Sequence, residues 1–171
     1  MAGLGSAPPP PVDPASDHVR PAEGGEPLVV LYADFECPYC AALHARLEDL
    51  ALRVCFRHFP VRSGHPRAWP AALAAEAAAC QGRFWEMHDA LFADPARLED
   101  PHLWARATAL GLDLDRFERD RRSEAVAERV RRDFRSGVRA GAVGTPAAFV
   151  RDEGGGFTPI EREALLALGG G

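Results

Sequence analysis

An α/β fold centred on a parallel strand–helix–strand unit is predicted by three observations on this chain. Pro27 to Phe35 is an apolar run rich in branched and aromatic side chains (Leu28, Val29, Val30, Leu31, Tyr32), bounded by proline and by the turn chemistry of Asp34, as a buried strand requires. Cys40, Leu43, Leu47, Leu50 and Val54 then recur at spacings of three and four, which predicts a helix with Cys40 on its apolar face. From Arg53 to Val61, Val54, Phe56, His58 and Pro60 alternate with Cys55, Arg57, Phe59 and Val61, the pattern of a second strand. A strand that follows the helix directly pairs parallel to the first.

Length and composition bound what such a fold can do. A chain of 171 residues is one domain's worth and buries about 70% of its unfolded surface in a single core, so no disulfide framework is needed for stability. The formal net charge of -5 and pI near 5.7 argue against a dedicated nucleic-acid binder. All 20 cationic side chains are Arg, so lysine is absent from the possible bases. No apolar run approaches the roughly 18 residues of a membrane span, and no membrane partner is expected.

Residues 1–26 are rich in proline and glycine (Pro8 to Pro11, Pro14, Pro21, Gly24, Gly25), the composition of an unfolded tail, in which His18 lies. They supply neither the charged start nor the apolar stretch of a secretory signal, so a cytoplasmic location is expected. In that compartment a Cys-x-x-Cys beside a strand and helix reads as a redox motif, reductive or sensing as readily as oxidative.

After the second strand, Pro66 to Gly141 is almost wholly helical in pattern. Segments Ala68 to Gln81, Phe84 to Phe92, Pro101 to Leu110, Leu114 to Arg121 and Glu124 to Gly141 are divided by turn signals at Gly82, Asp94-Pro95, Gly111 and Arg122-Ser123. In the last, Val126, Val130, Phe134 and Val138 repeat every four residues against Arg129, Arg131, Arg132, Arg135 and Arg139. Interleaved Glu124, Glu128 and Asp133 make that arginine set a solvated face rather than an anion site. Gly144 to Val150 is a loop proline leading into a short apolar strand, and on the residues alone Pro146 is a trans turn proline. Gly154 to Gly156 turn the chain back. Thr158-Pro159-Ile160-Glu161 forms a capping box that opens a helix to Leu168, stopped by Gly169 to Gly171.

The chemistry sits at the first strand's carboxyl end, where open α/β sheets bind ligands. Pro38 falls at the first helical position, where its missing N–H costs nothing, so Cys37 caps the helix start. There the unpaired N–H groups and the helix dipole favour negative charge, and such cysteines titrate between about 3.5 and 7.5. Cys37 is therefore the nucleophile, and Cys40, one turn on and facing inward, resolves the mixed disulfide. Glu36 beside the thiol either raises its pKa or relays its proton.

With these elements in place the chain resembles the DsbA-like thiol-disulfide oxidoreductases. The resemblance rests on Asp34-Phe35-Glu36-Cys37-Pro38-Tyr39-Cys40, Phe56-Arg57-His58-Phe59-Pro60, the Gln81 to Asp89 segment and Gly144-Thr145-Pro146. It implies a thioredoxin-like fold with an inserted all-helical domain: a first half at 27–62, the insertion at 63–141 and a second half at 142–171. It further implies that Pro146 is a cis-proline facing the cysteine pair. Thr145 would present backbone groups to an extended peptide and stabilise the Cys37 thiolate, and Pro38 and Tyr39 would join the substrate contacts. The implied substrates are protein or low-molecular-weight thiols and disulfides, with no cofactor. A redox-controlled peptide-binding or regulatory module with little turnover is the alternative.

The other candidates receive structural roles. Cys55 and Cys80 are expected to be small buried hydrophobes, and without a second close cysteine pair or matched histidines no metal site is expected. His44, His88 and His102 lie in helices; His58 and His65, flanking the second strand's exit, are the histidines placed to tune Cys37. Trp69, Trp85 and Trp104 are expected in packing.

Overall fold

A computed structural model describes residues 6–22 and 27–168. Five strands and seven helices follow one another as β1 (His18–Arg20), β2 (Leu28–Ala33), α1 (Pro38–Leu47), β3 (Arg53–His58), α2 (Ala68–Ala79), α3 (Phe84–Ala93), α4 (Asp100–Ala109), α5 (Leu114–Arg121), α6 (Glu124–Arg139), β4 (Ala147–Arg151), β5 (Phe157–Ile160) and α7 (Arg162–Ala167). The sheet order is β1-β3-β2-β4-β5. Among the described strands only β2 and β3 run parallel, with Leu28 opposite Arg53 and Ala33 opposite His58; the other pairs are antiparallel. This is a thioredoxin-like α/β fold with helices α2 to α6 inserted between β3 and β4.

The central strand shows why the fold holds. All six residues of β2 are buried, and alternate side chains enter different clusters: Val29, Leu31 and Ala33 pack with α1 and the inserted helices, Leu28, Val30 and Tyr32 with Phe59, Phe149 and Ala140. The first cluster continues through Leu43, Phe56, Met87, Leu91, Leu103 and Phe117, so the inserted helices share one core with the sheet. On the opposite face α6 lies so close that a Cβ at Gly137 would stand 2.6 Å from the Phe59 ring and 2.9 Å from that of Tyr32. Among the described residues, no helix is long and apolar enough to cross a membrane.

Several local expectations are corrected by tertiary pairing. The helix carrying Cys40 stops at Leu47, and turns at Leu50 and Leu52 return the chain so that Val54 lies in β3 opposite Val29. The capping box is displaced: Phe157–Ile160 pairs with β4 as an edge strand, where a proline N–H is not needed, and Glu161 becomes the cap of α7. The expected stop at Gly169 to Gly171 lies outside the described residues.

The largest correction concerns the expected unfolded tail at 1–26. Residues 18–20 form a strand on the outer edge of β3, and the segment before it is held by ion pairs. Arg57, inside the sheet, meets Asp17 at 3.0 Å and also donates to the Tyr32 hydroxyl and the Pro11 carbonyl. A guanidinium taken out of water requires such partners, and the tail supplies them. Positions 1–5 and 23–26 of that tail lie outside the described residues.

Candidate active site

Three loops meet at the carboxyl end of β2, and Asp34 joins two of them. Its Oδ1 accepts the Glu36 N–H at 2.8 Å, its Oδ2 accepts the Val61 N–H at 2.9 Å and stands 2.7 Å from His65 Nδ1, and its carbonyl accepts the Cys37 N–H at 3.2 Å. The residues before the cysteine pair are thereby fixed to the loop after β3. His65 is raised above its ordinary range: burial pulls it down, but the Asp34 hydrogen bond and charge outweigh it, and negative charge at Cys37 and Glu36 adds to the rise.

Cys37 is the N-cap of α1, with Pro38 in the first turn. It and Cys40 are free thiols, each 2% exposed, whereas Tyr39 between them is 70% exposed. The third loop places Thr145 against the pair: β4 pairs Ala147 with Tyr32, the Thr145–Pro146 peptide bond is cis rather than the trans expected of a turn proline, and Cys37 Sγ lies 3.5 Å from the Thr145 carbonyl oxygen. Cys37 is lowered from 9.0 to about 5, chiefly by the Cys40 hydrogen bond. The Thr145 side chain and the N–H groups of Cys40 and Tyr39 act in the same sense, against burial. Cys40 is strongly raised, first by burial and then by its hydrogen bond to Cys37.

A groove of about 620 Å³ runs beside the pair, lined by Tyr39, Thr145, Pro146, Ile160 and Leu165 among others. Glu36 faces away from it. Its Oε2 accepts the Arg67 N–H at 2.6 Å, supplying the start of α2 with the acceptor that Arg67 itself lacks as a cap.

Of the two histidines flanking β3's exit, only His65 joins the site. His58 is buried and points the other way: its Nε2 lies 2.7 Å from Glu76 Oε1, which also takes His18 Nε2 at 2.7 Å, while its backbone N–H is accepted by Asp133. Burial opposes ionisation of Glu76, yet these two hydrogen bonds hold it well below the carboxylate range. Sequence reading missed this clamp because its members lie in three separate segments. Two sets of metal-ligating side chains, His18/His58/Glu76 and His44/His88/Asp89, place donor atoms within 4.8 Å of one another. The 2.7 and 2.9 Å contacts inside them are hydrogen-bond lengths, and neither set includes the cysteine pair.

The remaining candidates divide. Cys55 is buried as expected, and burial first of all lifts it to about 12, but Cys80 is exposed because α2 ends there at the surface. The tryptophans divide: Trp85 packs against the core as expected, with Arg20 over its ring, whereas Arg62 and Arg131 flank Trp69, and Trp104 is exposed and donates to Glu118. Arg129 also leaves the solvated face expected of it, reaching inward to Asp133, while Val138 is exposed.

Comparison with known proteins identifies the family and agrees with the fold. The DSBA-like thioredoxin domain family matches residues 58–167. A Na(+)/H(+) antiporter NhaA of Herminiimonas arsenicoxydans is 46% identical over 147 residues, 82% of this chain and 23% of that protein. The chain thus spans about a quarter of the length of the curated relatives it matches. A thioredoxin-like oxidoreductase from Silicibacter pomeroyi superposes with a TM-score of 0.76 at 26% identity, covering 91% of each chain. The thiol-disulfide exchange protein alpha-DsbA2 of Wolbachia pipientis shares the fold with a TM-score of 0.72 at 18% identity, covering 89% of this chain and 84% of its own. With the matched family spanning most of the chain and the cysteine pair at the carboxyl end of β2, this protein belongs to the DSBA-like thioredoxin domain family.

Proposed function

We propose that the chain is a thiol–disulfide oxidoreductase in which Cys37 attacks, Cys40 resolves and Thr145 with Pro146 presents the substrate. The observation that carries this is the placement of Cys37 Sγ at a helix N-terminus, 3.5 Å from the Thr145 carbonyl, with Cys40 one turn behind it. In the reductive direction the Cys37 thiolate bonds to one sulfur of a substrate disulfide, and the other sulfur leaves with the electron pair. Cys40 then displaces the bound sulfur, the substrate departs as two thiols, and the chain is left with a Cys37–Cys40 disulfide. The groove past Tyr39 and Pro146 suits an extended peptide, which would bind mainly through its backbone.

Replacing Cys37 by Ser is expected to abolish turnover of a model protein disulfide; unchanged turnover would overturn the assignment. Equilibration of the dithiol with a thiol buffer gives the direction: a potential near about -120 mV makes the chain an oxidant, one near about -270 mV a reductant.

A second reading is favoured by the antiporters among the relatives, of which this chain covers a quarter: the same groove and dithiol act as a redox-controlled regulatory module. Full partner binding by a Cys37→Ser, Cys40→Ser double variant, with negligible turnover by the native chain, would establish it. A cytoplasmic location, proposed on the sequence, is tested by protection of the thiols from a membrane-impermeant alkylating reagent in intact cells.

A further inference from the structure

Resolution requires Cys40 to lose a proton, and Cys40 is the sulfur that burial holds protonated. Cys40 does not line the peptide groove. Cys40 lines a second cavity of about 390 Å³ on the far side of α1, which Cys37 does not line. Leu31, Leu52, Val54 and Phe92 form its apolar wall, and Arg20, His44, Glu48, Asp49 and His88 bring polar groups to it. A cavity of this size with several polar partners has room for water to bridge them.

His44 is placed to act there. It follows Cys40 by four residues in α1, so the two side chains lie on one face, and helical side chains lean back toward the preceding turn. Its ring stacks on Phe92 at 5.0 Å and meets His88 edge-on at 5.0 Å. Nε2 is 3.5 Å from Asp89 Oδ1 and 3.6 Å from Glu48 Oε1, and Asp89 is itself fixed by Arg20 at 2.6 Å and by His88 Nδ1 at 2.9 Å. Two carboxylates at Nε2 favour the tautomer with its proton there, which leaves Nδ1 as the acceptor. A base oriented by a third group is the arrangement by which weak nucleophiles are activated. Burial holds His44 below the ordinary histidine range, against the pull of Glu48 and Asp89, which favours the neutral imidazole. His88, lowered to about 3 by burial, is neutral too, but its Nδ1 is committed to Asp89 and its ring is enclosed by Phe35, Phe56 and Phe92.

We propose that His44 accepts the Cys40 proton, through water in this cavity, as Cys40 attacks the mixed disulfide. The Cys40 proton passes to imidazole, the Cys40–Cys37 bond forms as the Cys37–substrate sulfur bond breaks, and the electron pair leaves on the substrate sulfur, which takes up a proton from solvent. In the reverse direction the imidazolium returns the proton to Cys40. The proposal rests on the thiol–disulfide reading above.

Single-turnover kinetics with a chromogenic disulfide separate Cys37 attack from Cys40 resolution. In the native chain the resolution rate is expected to rise with pH to a plateau, with its midpoint below about 6.5. In His44→Phe, which keeps a ring against Phe92, resolution at pH 7 is expected to fall on the order of 100-fold, with attack by Cys37 unchanged. The plateau should give way to a rise that continues to alkaline pH, where Cys40 ionises unaided. Free imidazole should restore part of the rate in His44→Ala, the second variant. Resolution with native rate and native pH profile in both variants would overturn this proposal alone. A native chain whose Cys37 forms no mixed disulfide would overturn the thiol–disulfide reading and this proposal with it.

Discussion

Cys37 and Cys40 sit one helical turn apart and are equally buried, yet one titrates near 5 and the other is held protonated. Burial alone would raise both, since it disfavours any thiolate. The difference lies in what each sulfur faces. Cys37, at the open end of α1, receives hydrogen bonds from Cys40, from the Thr145 side chain and from two backbone N–H groups. Cys40, one turn inside, has spent its own donor on Cys37 and is buried in the core. The contrast teaches that a helix N-terminus acidifies a thiol only where its N–H groups are unpaired, and that one turn deeper the same helix leaves a thiol protonated.

The strongest way to break the contrast is to remove Cys40. Cys40→Ala should trap mixed disulfides with substrate, cutting turnover by two orders of magnitude or more. It should also move the Cys37 titration upward from about 5, because the leading hydrogen bond is lost. Mass spectrometry of the trapped adduct and the ultraviolet absorbance of the thiolate against pH check the two parts.

The contrast also predicts how stability depends on pH. Cys37 is depressed from 9.0 to about 5, so its stabilisation of the reduced chain is full above about pH 9 and is lost as pH falls through about 5. Cys40 is raised, so its contribution is full below about pH 9 and fades only as pH rises further. The oxidised chain has neither thiol. Urea unfolding of both forms should therefore show the reduced form losing ground to the oxidised form between about pH 8 and about pH 5. A constant difference would mean that Cys37 is not depressed in the folded chain.

Thr145→Val is the mildest test. It removes one donor and leaves the carbonyl facing Cys37, so the thiolate titration should rise less than in Cys40→Ala, with a several-fold change in the rate of Cys37 attack. An equal or larger rise would place Thr145, and not Cys40, as the main source of the acidity.

Much of this was legible in the sequence where the signal is local. The β2–α1–β3 unit follows from an apolar run, a helical period and an alternation, each complete within about a dozen residues. Cys37 at the N-cap follows from Pro38 beside it. Expectations failed where a distant partner outweighed a local preference. Thr158 reads as a helix cap, but hydrogen bonds to β4 draw Thr158 to Ile160 into the sheet and leave the cap position to Glu161. The tail composition reads as unfolded, but Asp17 and His18 pair with the buried Arg57 and Glu76, and β1 adds to the edge of β3, so that segment is drawn onto the sheet. His58 and His65 stand at equivalent places in the sequence, and only the packing of α2 sends one to Glu76 and leaves the other with Asp34.

The sequence by itself determined that a Cys-Pro-Tyr-Cys pair opens a helix at the end of a buried strand, because proline geometry and side-chain period act on neighbouring residues. Only the tertiary structure decided which groups surround each sulfur. Thr145 reaches Cys37 through the register of β4 on β2, and the docking of β1 and α3 brings Arg20 and His88 to the cavity that Cys40 and His44 line. Acidity is set by such contacts, because the free energy of a charge depends on every donor and dipole within a few ångströms, however far apart in the chain.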